Sequence, residues 1–255
     1  MSRVWLVISQ VLFVVAILVG WELAASTGVL NSFLVGQPSK IAQQLGLWIA
    51  DGSIWFNTGA TVFTTFLGYV AALVVGVIIG SFIGSSAMME KIAAPFLSFW
   101  QGFPRLVFYP FFAVMLGYSI ASRAVHVAFV IVFVIIVATA TGVASADRDV
   151  RQHARILGAS PTRIFVDVDL PSATAWIAAS ARVTFGLAIQ AAIVAEFTGA
   201  QNGLGYLMVL GQNSFNVNVI WAATSIAVFV AFAIDMLIVR SQRYFDRWAV
   251  RADSA

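Results

Sequence analysis

Six stretches of this chain are each long and apolar enough to cross a lipid bilayer, and nothing else limits its fold as strongly. A spanning helix needs about 20 mostly apolar residues, because hydrocarbon offers no partner to an unpaired backbone N–H or C=O. The runs lie at 4–23, 60–83, 92–117, 124–143, 173–194 and 220–239. The expected fold class is therefore all-α: a polytopic membrane protein with about six transmembrane helices in one domain, residues 1–255. The third run contains Pro95, Pro104 and Pro110, so it is expected to be broken or kinked. Composition agrees, since only 10% of the 255 residues are charged, against about 25% in a typical soluble domain. The chain has no cysteine, which excludes disulfides and thiolate-bound metal. The first run lacks a small-residue cleavage site after a short apolar core, and is expected to be a retained helix.

Lys and Arg mark orientation. Arg148, Arg151, Arg155 and Arg163 lie between runs four and five, and Arg240, Arg243, Arg247 and Arg251 follow run six. Residues 195–219, between runs five and six, hold no Lys or Arg. The positive-inside rule places the insert and the tail in the cytoplasm and residues 195–219 outside. Arg3 then puts the N-terminus inside, with Lys40 the exception in the first outer loop. The net charge of +3 is topological; it is no nucleic-acid surface. In that outer loop, "PSKIAQQLGLWIADG" spaces Ile41, Leu45, Trp48 and Ile49 as an amphipathic helix. It is read either as lying on the outer leaflet, with Trp48 and Trp55 at headgroup level, or as an ordinary packed loop helix.

Residues 147–172 form the one extended polar insert. Residues 149–157 have good helix formers and an acidic start, and Gly158 suits a left-handed C-terminal cap. Ser160 before Pro161 is a helix start, with an N-cap hydroxyl and then proline at the first helical position. A second helix over 161–168 is expected to stop before Leu170-Pro171, with Pro171 opening span five. The result is a helix–turn–helix with Gly158, Ala159 and Ser160 at its tip. By its residues alone it is either a docking element for a groove on another protein or a solvated loop whose arginines set topology.

The spacing from Gly158 through nine residues to Val168, Asp169, Leu170 and Pro171 resembles the signature E-A-A-x-x-x-G-x9-I-x-L-P of bacterial ABC-importer permeases. Gln152, His153 and Ala154 occupy the E-A-A positions, so the glutamate is missing and any salt bridge it makes is in doubt. "FLVGQPSKIAQQL", "PRLVFYPFFAVMLG" and "AEFTGAQNGLGYLM" look like the nitrate, sulfonate/taurine and bicarbonate branch. The resemblance implies the type I importer permease fold, with the insert as coupling helix in a cleft of the ATP-binding subunit. It implies as partners two copies of a cytoplasmic ABC ATPase, a second permease copy (a homodimer), an extracytoplasmic substrate-binding protein and membrane lipid. No cofactor is expected in this chain, ATP and Mg being held by the ATPase subunits. The implied location is the bacterial inner membrane, with both termini cytoplasmic.

Ionisable groups inside spans are costly, so each is a functional suspect. Arg182 and Asp235 lie at similar depth and are expected to form a structural ion pair. Arg105, after Pro104 in the broken run, either lines the pathway and favours an anion, or snorkels or pairs with another protein group. With Pro104, Tyr109, Glu196 and Asn202 it completes the candidate pathway; Gly199, Gly203 and Gly205 allow the loop after Glu196 to turn sharply. His126 is expected to be buried, neutral and hydrogen-bonded. Gly68, Gly76, Gly80 and Gly84 form a packing stripe. The chain has no G-x-x-x-x-G-K-[ST] phosphate loop and is not expected to hydrolyse ATP. An intramembrane enzyme would need a nucleophile–base pair, an aspartate pair or a metal cluster, and none is apparent. A stand-alone channel or carrier would have no use for the polar insert.

Overall fold

The computed structural model describes the backbone of residues 3–252 and the side chains of residues 4–240. The side chains of Arg3, Arg243, Arg247 and Arg251, used above for orientation, lie outside the described residues. Regular structure among the described residues is helical throughout: α1 (Arg3–Ser26), α2 (Ser32–Val35), α3 (Pro38–Ala50), α4 (Ser53–Gly84), α5 (Ala87–Gly102), α6 (Tyr109–Leu116), α7 (Ile120–Ala144), α8 (Arg148–Ile156), α9 (Pro161–Ile164), α10 (Leu170–Phe197), α11 (Leu204–Asn213) and α12 (Val217–Ala252).

Five segments are long and apolar enough to cross a membrane unbroken: Val4–Ser26, Ser53–Gly84, Ile120–Ala144, Pro161–Phe197 and Val217–Arg240. The third apolar run is divided. α5 ends at Gly102, Pro104 leaves helical geometry at φ −76° and ψ 66°, a 3₁₀ turn covers Arg105–Phe108, and α6 follows. Pro110 sits in the first turn of α6, where its missing N–H costs nothing. Pro95 lies inside α5 without ending it. The six expected spans thus become five continuous helices and one helix–turn–helix segment.

α7 is the centre of the bundle, packed along both α4 and α10. On α4, Gly68, Ala72, Gly76, Gly80 and Gly84 recur every four residues, and α7 lies directly on them. A Cβ on Gly68 would sit 2.5 Å from the Ala124 carbonyl oxygen, and one on Gly76 2.7 Å from Ile135 Cγ2. One on Gly80 would sit 2.6 Å from the Ile136 carbonyl oxygen. In a bilayer, where lipid competes equally for apolar side chains, such backbone approach is a main source of helix–helix affinity. Buried Ile131, Ile135 and Val130 continue the contact to Ala188, Ala191 and Ala192 of α10.

α3 resolves the two readings of the outer loop. Ile41 and Trp48 are buried in a cluster with Leu204, Leu207 and Met208 of α11 and Ala222, Ala223 and Ile226 of α12. The Ile41 and Trp48 side of α3 is therefore covered by protein, while Ile49 and Trp55 stay exposed. Its start is held by α1: Glu22 accepts from the Ser39 amide (2.9 Å), the Ser39 hydroxyl (2.9 Å) and Gln37 Nε2 (2.7 Å). A carboxylate from another helix thus caps α3, favourable at a helix N-terminus.

Candidate functional site

At one end of the bundle stands the polar insert. Asp147 caps α8 by accepting from the Asp149 amide (2.8 Å), and Ser160 caps α9 by accepting from the Arg163 amide (3.3 Å). Between them Gly158 has φ 83°, a conformation costly for any residue with a Cβ. Arg151 reaches back to the Asp169 carboxylate and the Val143 carbonyl, so it braces the base of the insert. Arg163 pairs with Asp167 at 3.2 Å, both side chains exposed. Gln152 and His153 face outward, and Ala154 is half-buried on a cavity of about 560 Å³ with Leu157, Gly158, Ala159 and Ser160. At the tip, Ile156 is 75% and Leu157 86% exposed, an apolar pair with no cover from this chain.

The expected break before Leu170-Pro171 does not occur. α9 runs through a wide turn, Phe165–Asp169, straight into α10. Pro171 has no N–H to donate and its ring would press on the carbonyl four residues back. Widening the turn, so that the Leu170 amide bonds to the Phe165 carbonyl, absorbs the proline without ending the helix. The insert is in this way mechanically continuous with a membrane span.

The five candidate pathway residues separate. Tyr109 is 1% exposed, its ring edge-on to His126 at 5.5 Å and its hydroxyl 3.5 Å from that of Ser122. It is packed in a buried cluster with Ala113 and Ala195. Glu196 is likewise 1% exposed. Its carboxylate accepts from the Thr61 hydroxyl (2.9 Å) and the Gly205 amide (2.8 Å) and lies 3.6 Å from Arg123 Nη1. Arg123 also donates to Asn202, through its backbone carbonyl (3.2 Å) and side-chain oxygen (3.0 Å). Asn57 and Thr61 accept from the amides of Gly203 and Leu204 at 2.9 and 2.8 Å. The glycine-rich loop is thus tied to α4 and α7 by a buried knot. Gly203 is required there: at φ 114°, a Cβ would run into the Glu196 carboxylate.

Sequence reasoning missed Arg123, Asn57 and Thr61. Arg123 precedes the fourth apolar run by one residue and so reads as a loop cation; α7 begins at Ile120 and buries it. Its partner was visible as the one carboxylate at the far end of run five. His126 is buried as expected, yet neither ring nitrogen has a hydrogen-bond partner among the described residues.

Pro104 is exposed, and beside it Arg105 is half-buried. Nη1 donates to the Val130 carbonyl at 2.9 Å. The residue lines a cavity of about 620 Å³ bounded by α5, α7 and α10, with Gln101, Phe133, Thr141, Trp176 and Ser180. Arg182 and Asp235 form a two-pronged pair at 2.8 and 3.1 Å between α10 and α12. No cluster of three or more potential metal ligands occurs among the described residues.

An ABC transporter subunit is what the comparisons with known proteins point to. A "Probable ABC transporter permease protein" of Haemophilus influenzae is 27% identical over 91% of this chain and 96% of its own length. The taurine transport system permease protein TauC of Escherichia coli is 23% identical, over 89% and 85% respectively. Among solved structures, the MetNI methionine ABC transporter in an inward-facing conformation superposes with TM-score 0.61 at 19% identity, covering 78% of this chain and 96% of that one. The fold is that of a type I ABC importer permease. Residues 72–251 match the family of binding-protein-dependent transport system inner membrane components, and the chain belongs to that family.

Proposed function

We propose that this chain, as the membrane-spanning subunit of an ABC importer, moves a small anionic solute by alternating access. An extracytoplasmic binding protein delivers the solute, two chains form the pore as a homodimer, and two cytoplasmic ATPase subunits holding ATP and Mg drive the cycle. The insert and both termini face the cytoplasm, in agreement with the arginine distribution. The Arg182–Asp235 pair, half exposed on the single chain, supports a second copy packed against α10 and α12, because hydrocarbon penalises charge left in contact with it.

The observation that carries this reading is the insert. An exposed Ile156-Leu157 pair at a tip held rigid by Arg151 and two helix caps has the form of a knob for a groove. Its coupling residues are Gln152, His153, Ala154, Gly158, Ala159, Ser160 and Pro161, with Leu170 and Pro171 joining them to α10. Movement of the tip is transmitted because the path from α9 to α10 is unbroken. With Gln152 at the signature's glutamate position, the contact is made without a salt bridge there.

The test is co-purification of the chain with its ABC ATPase subunit, comparing wild type with Ala159→Asp. The variant places a carboxylate at the docking tip, away from the bundle core. Loss of the complex with an unchanged elution profile of the permease is the expected result. A complex of undiminished yield would refute the coupling role.

A further inference from the structure

We infer that the cavity at Arg105 takes an organic anion with an aromatic or similarly apolar body, and that small inorganic oxyanions are excluded. This rests on the importer reading and names the solute class.

Depth and incomplete pairing mark Arg105. It is anchored on Val130, ten residues into α7, which is about 15 Å along that helix. That is close to the middle of a hydrocarbon layer about 30 Å thick. Among the described residues no carboxylate lies within salt-bridge distance of it; the four ion pairs involve other arginines. One N–H is spent on the Val130 carbonyl, leaving the rest of the fork for a ligand. A half-buried cation at this depth is stable only with an anion or water before it, and a guanidinium fork matches a carboxylate or sulfonate.

The remaining walls decide what the anion carries. Phe133 and Trp176 face the cavity, and the other apolar lining is valine and alanine of α7 and α10. Phe133 is itself held in place: Trp100 stacks on it at 4.4 Å and 14°, and Trp100 is braced edge-on by Phe129 and Phe103. Phe133 is thus fixed in position beside the cavity, where a ligand ring can pack against it. Polar groups besides Arg105 are only Gln101, Thr141 and Ser180, and the Ser180 hydroxyl already donates to the Ile177 carbonyl. Nitrate, sulfate or bicarbonate would give up a full hydration shell for one guanidinium and few neutral donors, which leaves buried charge uncompensated. An aromatic carboxylate or sulfonate loses less water, sets its head on Arg105 and buries its ring on Phe133 and Trp176. The cavity extends from Arg105 to Thr141, near the insert end of α7, so it opens toward the side where solute would be released.

The experiment is calorimetric titration of the full-length chain in lipid nanodiscs, with and without its ATPase. The probes are benzoate, benzenesulfonate and 2-naphthoate, against nitrate, sulfate, bicarbonate and neutral benzamide. The expected result is binding of at least one aromatic anion at least tenfold tighter than any inorganic ion or benzamide. Arg105→Gln weakens it about tenfold or more, Arg105→Lys recovers part, and Phe133→Leu weakens it with the charge intact. The proposal is overturned if none of the aromatic anions binds, if an inorganic oxyanion binds equally well, or if Arg105→Gln in a well-folded preparation changes nothing. ATP hydrolysis by the assembled complex reads the importer function separately. An active complex that binds only inorganic ions defeats the solute class alone, whereas failure to assemble defeats the importer reading itself.

Discussion

Glu196→Ala is expected to be among the most damaging single changes in the half of the bundle opposite the polar insert. The carboxylate receives the Thr61 hydroxyl at 2.9 Å and the Gly205 amide at 2.8 Å, and balances Arg123 at 3.6 Å. Removing it leaves a guanidinium that is 4% exposed with Asn202 as its remaining partner. Breaking a buried pair from one side costs about 3–5 kcal/mol, because the surviving charge stays desolvated. The orphaned Gly205 amide adds about 1–3 kcal/mol, though the two losses overlap within one relaxing cavity. Thr61 loses less, since its hydroxyl also reaches the Asn57 carbonyl at 3.3 Å. A net cost of about 4 kcal/mol follows from these terms. Removing both charges should hurt less than removing one: in Arg123→Met with Glu196→Met no buried ion is left over. Coupling between the sites should therefore reach about 2 kcal/mol. Reversible unfolding in mixed SDS micelles, followed by tryptophan fluorescence, measures Glu196→Ala, the Met double and its two singles. A Glu196→Ala cost below about 1 kcal/mol, or a double variant equal to the sum of its singles, would show that the pair does not hold the loop.

Other sites give sharper packing tests. Gly76→Ala drives a methyl to 2.7 Å from Ile135 Cγ2 and is expected to cost about 1–3 kcal/mol in the same assay, while Gly46→Ala on α3, where a Cβ meets open space, should not destabilise. Trp48→Ala removes a buried ring from the contact of α3 with α11 and α12, at about 3–5 kcal/mol; a wild-type midpoint would mean that α3 is held by its Glu22 cap alone. His126→Leu replaces two unpartnered buried nitrogens with hydrocarbon, so stability should be unchanged or rise by about 1 kcal/mol, and a clear loss would reveal a partner outside the described residues.

Much of the architecture was legible because the bilayer restricts the choices. A run of 20 apolar residues leaves only a helix, so five of the runs fall inside helices that extend past them, most of all at Pro161. Pro104 announced the break in the third. The insert was equally readable: Asp149 in the first turn, the left-handed glycine at 158 and the Ser160-Pro161 start are local devices that act the same way in any fold. What failed was anything depending on a partner element. The face of α3 with Ile41 and Trp48 has the same periodicity whether lipid or α12 lies beneath it. Pro171 reads as a stop unless the preceding turn can widen, which depends on how residues 165–169 pack against α10 and α7.

The polar groups named for a pathway depend on partner elements in the same way. Tyr109, Glu196 and Asn202 drew attention as polar groups in or beside spans, and each proved to be enclosed by or bonded to a neighbour: Tyr109 by Ser122 and His126, Glu196 by Thr61, Gly205 and Arg123, Asn202 by Arg123. In a membrane such mutual satisfaction is the ordinary fate of polar side chains, because hydrocarbon leaves them no other partner. Arg182 is likewise answered by Asp235. Arg105 differs in having one carbonyl for a forked cation, an aromatic wall beside it and an open cavity in front. Sequence can name every ionisable residue in a span, but only contact geometry separates those whose bonding is complete from Arg105, which among the described residues has a single carbonyl for its fork.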